Sequence, residues 1–347
     1  MRFVGIIGPL LLAAAAPADQ VIVRGTNWPG AKVVTLEQGR LQFRTAEGFL
    51  QEPWLDDVDF LNVDRGQTFA DFNEAERYLS KGDAANAAIR YRRALRGSED
   101  FWKDLIEVRL LQACASTGQW DQVAQGLTRV ARGRRSGPAL AARLIPTGLP
   151  EQRDSKTVEA LDALDTAIPK ETSVEPRVVL EFFRYELLRR TGDRRAADHV
   201  RSVAVRTVPS AIRCDRLFAI QLPALRGLFS DGSDLQKLQA LDAFIQAAPA
   251  AMLPPALILK GEALLATAQS REELIRASWP FLRVVIHMPG DPAAPEALWG
   301  AARVLERMGL TDRAVEMLRE CIAHPAIGVE IRKEAEVSLT RFRTKGE

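Results

Sequence analysis

FNEAERYLSKGDAANAAIRYRRAL, Phe72–Leu95, holds two short helical patterns that meet at Lys81-Gly82-Asp83. Ala75 and Tyr78 lie three apart on the first pattern, and Ala87, Tyr91 and Ala94 lie four and three apart on the second. Each set therefore forms one stripe along a helix. Small and aromatic residues fall where two helices must pack face to face. A hairpin of this size cannot bury its face alone, so it demands stacked neighbours.

Downstream the chain supplies them. Beyond Gly66-Gln67-Thr68 nearly every segment reads as an amphipathic helix of roughly 10 to 17 residues with Gly, Pro or Asp breaks, and no strand pattern returns. That excludes an alternating β/α enzyme fold for this region. Trp102–Ala131 keeps the hydrophobic spacing, and its turn glycine, Gly118, follows Gly82 by 36 residues. Pro176–Pro209 carries Gly192, Ala197 and Ala204 at packing positions. Pro255–Thr267 and Arg271–His287 pair through Ala277 and Phe281, although Pro280 inside the second helix predicts a kink or a cost. Pro295–Pro325 adds Gly309, Ala314 and Leu318, and Ile331–Phe342 reads as a capping helix. Between them Ser210–Pro249 is irregular, with only Leu235–Ala247 a good helix.

This spacing resembles the tetratricopeptide repeat (TPR) family, a helix-turn-helix unit of about 34 residues. In the opening stretch Ala75, Tyr78, Gly82, Ala87, Tyr91, Ala94 and Leu95 fall on the family's packing positions, while Asp71 and Glu74 replace its leading Trp and Leu. The resemblance implies a mainly α, TPR-like α-solenoid of helical hairpins. The last unit, with Pro289, Asp291, Pro292, Pro295, Glu296, Gly309 and Ala314, is similar to repeats of periplasmic cell-envelope proteins of the β-barrel-assembly and Tol systems.

From Gln20 to Val63 the hydrophobic period is two. Five short strands are expected over Val21–Val23, Lys32–Leu36, Leu41–Thr45, Phe49–Glu52 and Val58–Val63, with Asn27-Trp28-Pro29-Gly30 read as a turn. Gly30, Gly39-Arg40-Leu41, Glu47-Gly48 and Asp56-Asp57-Val58 give a pattern that resembles small SH3-like or Sm-like β modules. Trp28 and Trp54 are read as core or as the seam with the helices rather than as a ligand-facing pair.

Arg2, the apolar run Phe3–Ala16 and Ala16-Pro17-Ala18 before Asp19 form a secretory signal-peptide pattern. The expected organisation is a signal peptide over 1–18, a β module over 19–64 and the TPR-like domain over 65–347, exported to the periplasm or envelope of a bacterium. No later stretch approaches about 18 uninterrupted apolar residues, so no transmembrane segment is expected after cleavage. Cys114, Cys214 and Cys321 lie about a hundred residues apart with no C-x-x-C, which is neither a disulfide framework nor a zinc site.

The formal charge of +2 hides an excess between Ala87 and Arg143, where eleven Arg and Lys meet five Asp and Glu. Arg132, Arg134 and Arg135 in RGRRSG are the candidates for contact with an anionic envelope component. Export argues against nucleic acid. His199, His287 and His324 lack metal-ligand spacing, and His287 is placed to bond last-turn carbonyls. No nucleophile elbow or phosphate loop is present, so no catalytic residue, metal or cofactor is expected. The reading is a non-enzymatic scaffold or adaptor binding protein partners, with Asn73, Arg77 and Lys81 as contact residues of the opening unit. The alternative is a binder of a glycan, peptide or anionic component through the β module and the basic helical face.

Overall fold

In the computed structural model, which describes residues 19–64, 69–98, 100–230, 232 and 234–345, the chain begins with an antiparallel sheet. The expected leader and the crossover at Gly66-Gln67-Thr68 lie outside the described residues. Strands β1 (Asp19–Val23), β2 (Thr26–Glu37), β3 (Arg40–Arg44), β4 (Leu50–Gln51) and β5 (Val58–Asn62) are ordered β4-β3-β2-β1-β5. The first two hairpins turn on Arg24-Gly25 and Gln38-Gly39, all four residues at positive φ, which matches the right-handed twist of the strands they join. Asn27-Trp28-Pro29-Gly30 is not the turn expected from sequence; it lies inside β2. Asp19 faces Ala31 while Gln20 faces Pro29, so Gly30, at φ 73°, is the extra residue of a β-bulge. One face of the sheet buries Val21, Ala31, Val33, Leu36, Leu41 and Phe43.

Fifteen helices follow among the described residues. They are α1 (Ala70–Ser80), α2 (Ala84–Arg96), α3 (Asp100–Ser116), α4 (Trp120–Arg132), α5 (Gly137–Arg143), α6 (Ser155–Ala167), α7 (Val174–Arg190) and α8 (Arg195–Ala204). Then come α9 (Asp215–Leu228), α10 (Leu235–Ala247), α11 (Leu253–Thr267), α12 (Arg271–His287), α13 (Ala294–Arg307), α14 (Thr311–Ala323) and α15 (Val329–Lys345). One reading is corrected: the irregular segment after Ser210 contains a full helix, α9, which runs through Pro223. Pro280 lies inside α12.

Four hairpins share one loop. Gly82, Gly118, Gly192 and Gly309 stand at φ 79°, 66°, 65° and 75° after α1, α3, α7 and α13. The N–H of the next residue reaches back to the preceding helix: Asp83 to Tyr78 O at 2.9 Å, Gln119 to Cys114 O at 3.0 Å, Asp193 to Leu188 O at 2.9 Å and Leu310 to Leu305 O at 2.9 Å. This is a Schellman closure, and a left-handed residue is what it requires. The repeat is thus written in hydrogen bonds where residue identity has drifted.

The chain divides into two compact units, one running to Leu149 and including Asp154–Glu171, the other comprising Pro150–Arg153 and Thr172 onward. The sheet does not stand alone; it belongs with α1–α6. Asn73 of α1 accepts from Val63 N–H and donates to Val63 O, each at 2.8 Å, and Glu76 Oε2 accepts from Leu61 N–H at 2.8 Å. These side chains satisfy the outer edge of β5 where a sixth strand would otherwise pair. A second seam runs along α5. Gly39 N–H donates to Arg135 O at 2.7 Å, and a Cβ on Gly39 would stand 2.6 Å from that of Leu140. Trp54 lies between the guanidinium groups of Arg40 and Arg143, 4.4 and 5.1 Å from the ring centre, while Arg143 also grips Asp56. Trp28 packs against Phe43.

In the C-terminal unit Phe281 of α12 is the wedge. A Cβ on Gly261 of α11 or Gly300 of α13 would fall 2.6 or 2.3 Å from its ring, so both glycines exist to admit it. Ala204, Ala277, Ala314 and Leu318 are buried as expected, as are Ala75, Ala87 and Tyr91 of the first hairpin. Tyr78 and Ala94 are only half-buried. Ala197 is exposed, correcting its assignment to the core: α8 buries only Val203 and Ala204, and its first turns are charged. Cys114 and Cys321 are buried and Cys214 is half-buried.

Ala250–Thr267, which contains α11, has a mean hydropathy of 1.3 over 18 residues and is long and apolar enough to cross a membrane. The sequence reading passed over it because Lys260 and Glu262 interrupt the run. Here 44% of that stretch is buried within the protein.

Candidate functional site

Two carboxylates, one in each unit, stand on the first helices of hairpins. Glu76 on α1 is 1% exposed. Its Oε2 holds Leu61 N–H, its Oε1 accepts the Tyr91 hydroxyl at 2.6 Å, and Arg109 Nε of α3 lies 3.1 Å from Oε1. Burial, then the Glu76 charge, pushes the Tyr91 phenol far above its ordinary range, so it stays a donor. Arg109 donates to Gln112 at 3.0 Å, and its Nε and Nη2 make no hydrogen bond among the described residues. This cluster is closed to solvent and ties sheet, α1, α2 and α3 together.

The second carboxylate lies in a groove. On α13, Trp299, Arg303 and Glu306 recur at steps of four and three; on α15, Glu334, Ser338 and Arg341 do the same. Each set lies on one helix face. Together with Glu262, Leu265 and Ala266 of α11 they line a cleft of about 530 Å³. A second cleft of about 360 Å³ adjoins it, sharing Glu262 and Ala266 and adding Leu259, Glu296, Arg226 and Phe229.

Most of the groove's cations have fixed roles. Arg307 donates to Leu265 O at 2.6 Å and Ala268 O at 2.5 Å, capping the end of α11. Arg341 pairs with Glu306 at 3.5 Å. Arg303 places its guanidinium carbon over Trp299, 4.6 Å from the ring centre. The indole Nε1 is buried with no hydrogen-bond partner among the described residues. Burial first, and then the Glu296 charge, pushes the Glu262 carboxyl above its ordinary range, with Arg303 and Arg226 partly offsetting. Such a groove offers polar recognition along a helical face.

The sequence-predicted contact residues are scattered. Arg77 and Lys81 are exposed on the first hairpin. Asn73 is committed to the β5 edge instead. Arg132 pairs with Glu171 at 2.7 Å, Arg134 is exposed, and Arg135 is half-buried with its charge acting on Asp104. Other arginines of the basic stretch are also tied locally: Arg90 to Asp71 and Glu74, Arg92 to Gln119 and Gln122, Arg129 to Glu107. His324, rather than His287, holds the loop after α12, its Nε2 lying 3.0 Å from Pro289 O. Sequence reasoning missed Glu262, Trp299, Arg303 and Glu334. The available signal was the polar and aromatic stripe 299, 303, 306 on the face of α13 opposite its alanines.

No family model and no curated protein sequence matches the chain. Among solved structures it is similar to the TPR domain of P58(IPK), at 14% identity over 81% of this chain and 80% of that one, with a TM-score of 0.29. The helical-hairpin fold is read from this chain's own four glycine loops. The conclusion is a mainly α chain of helical hairpins, preceded by a small antiparallel β-sheet that packs on the first of them.

Proposed function

We propose that the chain is a non-enzymatic scaffold or adaptor of the bacterial cell envelope that holds a protein partner in the groove along α11, α13 and α15. The carrying observation is the groove: successive hairpins present polar side chains along one face, the surface helical-repeat proteins use for binding. The signal-peptide pattern before Asp19 supports export, and the strand order with a 3-10 turn before β5 supports an SH3-like reading of the sheet. The alternative, capture of a glycan, peptide or anionic component by the β module, draws support from Phe49 and Leu50, exposed at the start of edge strand β4. The tied arginines and the packed Trp54 speak against it.

A photo-crosslinking residue placed in turn at Arg303, Ser338, Arg77, Lys81 and Phe49 tests the reading in intact cells. Protein adducts at positions 303 and 338 are expected. Adducts confined to 49 would transfer the role to the β module, and adducts at none of the five would remove the scaffold reading. Fractionation with N-terminal sequencing is expected to find a chain starting at Asp19 in the envelope; an intact Met1 in the cytoplasm would overturn the location.

A further inference from the structure

Helix α12 carries an apolar ridge that the groove does not use. Its inner face buries Leu274, Ala277, Phe281 and Val284 in the cluster shared with α11 and α13. On the outer face Ile275, Trp279 and Ile286 are 39%, 64% and 64% exposed, and Leu282 among them is half-buried. Steps of four, three and four residues set these side chains in one row about 17 Å long, the spacing by which one helix seats against another. Exposed apolar side chains scattered singly are ordinary, whereas a contiguous row marks a contact surface. The next hairpin supplies a control. The outer face of its second helix, α14, exposes Arg313, Glu316, Arg319 and Glu320 instead, so the hairpin fold itself makes no demand for the ridge.

The charges beside the ridge say what kind of helix fits it. Glu272, Arg276, Arg283 and His287 follow one flank at steps of four, seven and four. Glu272 is taken by Arg276 at 2.6 Å, and Glu273, the other acidic side chain of the first turn, is held in the capping box with Ser270. The residues three and four positions from Arg283 are Trp279, Pro280, Ile286 and His287, none of them acidic, and Arg283 makes no ion pair among the described residues. The ridge is therefore bordered by a cation that lacks a counter-charge. A second copy of the chain would not supply one. Laid antiparallel on the same ridge, it would bring its own Arg276 toward Arg283; laid parallel, it would meet that flank with the opposite one, where the charged residue is Arg271.

We propose that the outer face of α12 docks an amphipathic helix of a partner protein, whose apolar side chains, at three- and four-residue steps, interleave with Ile275, Trp279 and Ile286 while an Asp or Glu on its flank meets Arg283. This surface is separate from the groove, whose lining includes no residue of α12.

A phage library of amphipathic helices, with Leu fixed at three- and four-residue steps and the flanks varied among Glu, Gln and Lys, is panned on the full chain, and the recovered helices are measured by fluorescence anisotropy. Flanks rich in Glu are expected. Trp279→Ser should weaken these helices about tenfold or more, and Arg283→Glu should weaken them while admitting their Lys-flanked versions. Both side chains face solvent, so thermal melting should find both variants folded; Ile286→Ser, on the same row, answers the question if Trp279→Ser is not. Lys-rich or charge-indifferent flanks would overturn the proposal, as would recovery of no helix, or of helices that bind Trp279→Ser and Ile286→Ser undiminished. Two further outcomes would reassign the ridge and overturn the proposal equally. Co-flotation of the chain with phosphatidylglycerol vesicles, lost in Trp279→Ser, would give it to a lipid surface; a concentration-dependent dimer in sedimentation velocity, lost in the same variant, would give it to a second copy.

Discussion

Glu76 and Glu262 occupy the first helix of a hairpin in their respective units, and their surroundings are opposites. Glu76 is sealed in and matched, by the Leu61 N–H, the Tyr91 hydroxyl and Arg109. Glu262 is half-buried, has no partner at bonding distance among the described residues and sits near a second carboxylate. A buried charge with a full set of partners is architecture: here it welds a sheet edge to three helices. A half-buried charge left next to its own kind lowers stability, and its chemistry faces a groove.

Removing the matched carboxylate should do the most damage. Glu76→Ala leaves Arg109 charged and buried and orphans the Leu61 N–H, an expected loss of about 3–5 kcal/mol in urea unfolding. Glu76→Gln keeps an acceptor but not the charge, so most of that loss should persist; if it unfolds like wild type, Arg109 is not the group Glu76 serves. Next, Gly300→Ala forces the Phe281 ring to move and should cost about 1–3 kcal/mol. Adding Phe281→Leu should recover part of it, and strict additivity in that cycle would show that the ring is not the obstacle. Asn73→Ala should cost about 1–2 kcal/mol by unsealing the Val63 edge. Hydrogen exchange would then show faster exchange at Val63 while the α13–α14 hairpin stays protected.

The smallest effect should carry the opposite sign. Because the folded state raises the Glu262 pKa, the carboxyl favours folding fully below its ordinary value of 4.5, and that contribution is lost as pH rises through the raised value. Glu262→Gln should therefore melt with wild type in acid and above it at neutral pH. A lower Tm than wild type at neutral pH would mean that Glu262 has a stabilising partner, and the contrast with Glu76 would collapse.

Much of the fold was legible because its signals are local. The stripe at Ala75, Ala87 and Tyr91 and the turn glycines Gly82, Gly118, Gly192 and Gly309 are set by helical spacing and by φ, which neighbouring residues dictate. The strands, too, follow from their period of two. What misled was local chemistry that tertiary contact overrode. Pro29-Gly30 reads as a turn yet is a bulge, because Asp19 and Gln20 pair across it. Ala197 sits at a packing position on a helix that buries only Val203 and Ala204.

The candidate site was hardly legible at all. Asn73 looked like a surface contact because nothing in α1 announces that Val63 lies opposite. Glu262 lies far along the chain from Glu296 and Trp299 of α13, and only the packing of α11 against α13 around Phe281 sets them along one groove. By itself the sequence determined the helical hairpins, their glycine loops and the preceding sheet, since periodicity and backbone conformation are fixed within a few residues. Tertiary structure alone decided which charges are matched and which are left facing solvent, because partners for a carboxylate are chosen by distance in space, and spacing in sequence does not encode that distance.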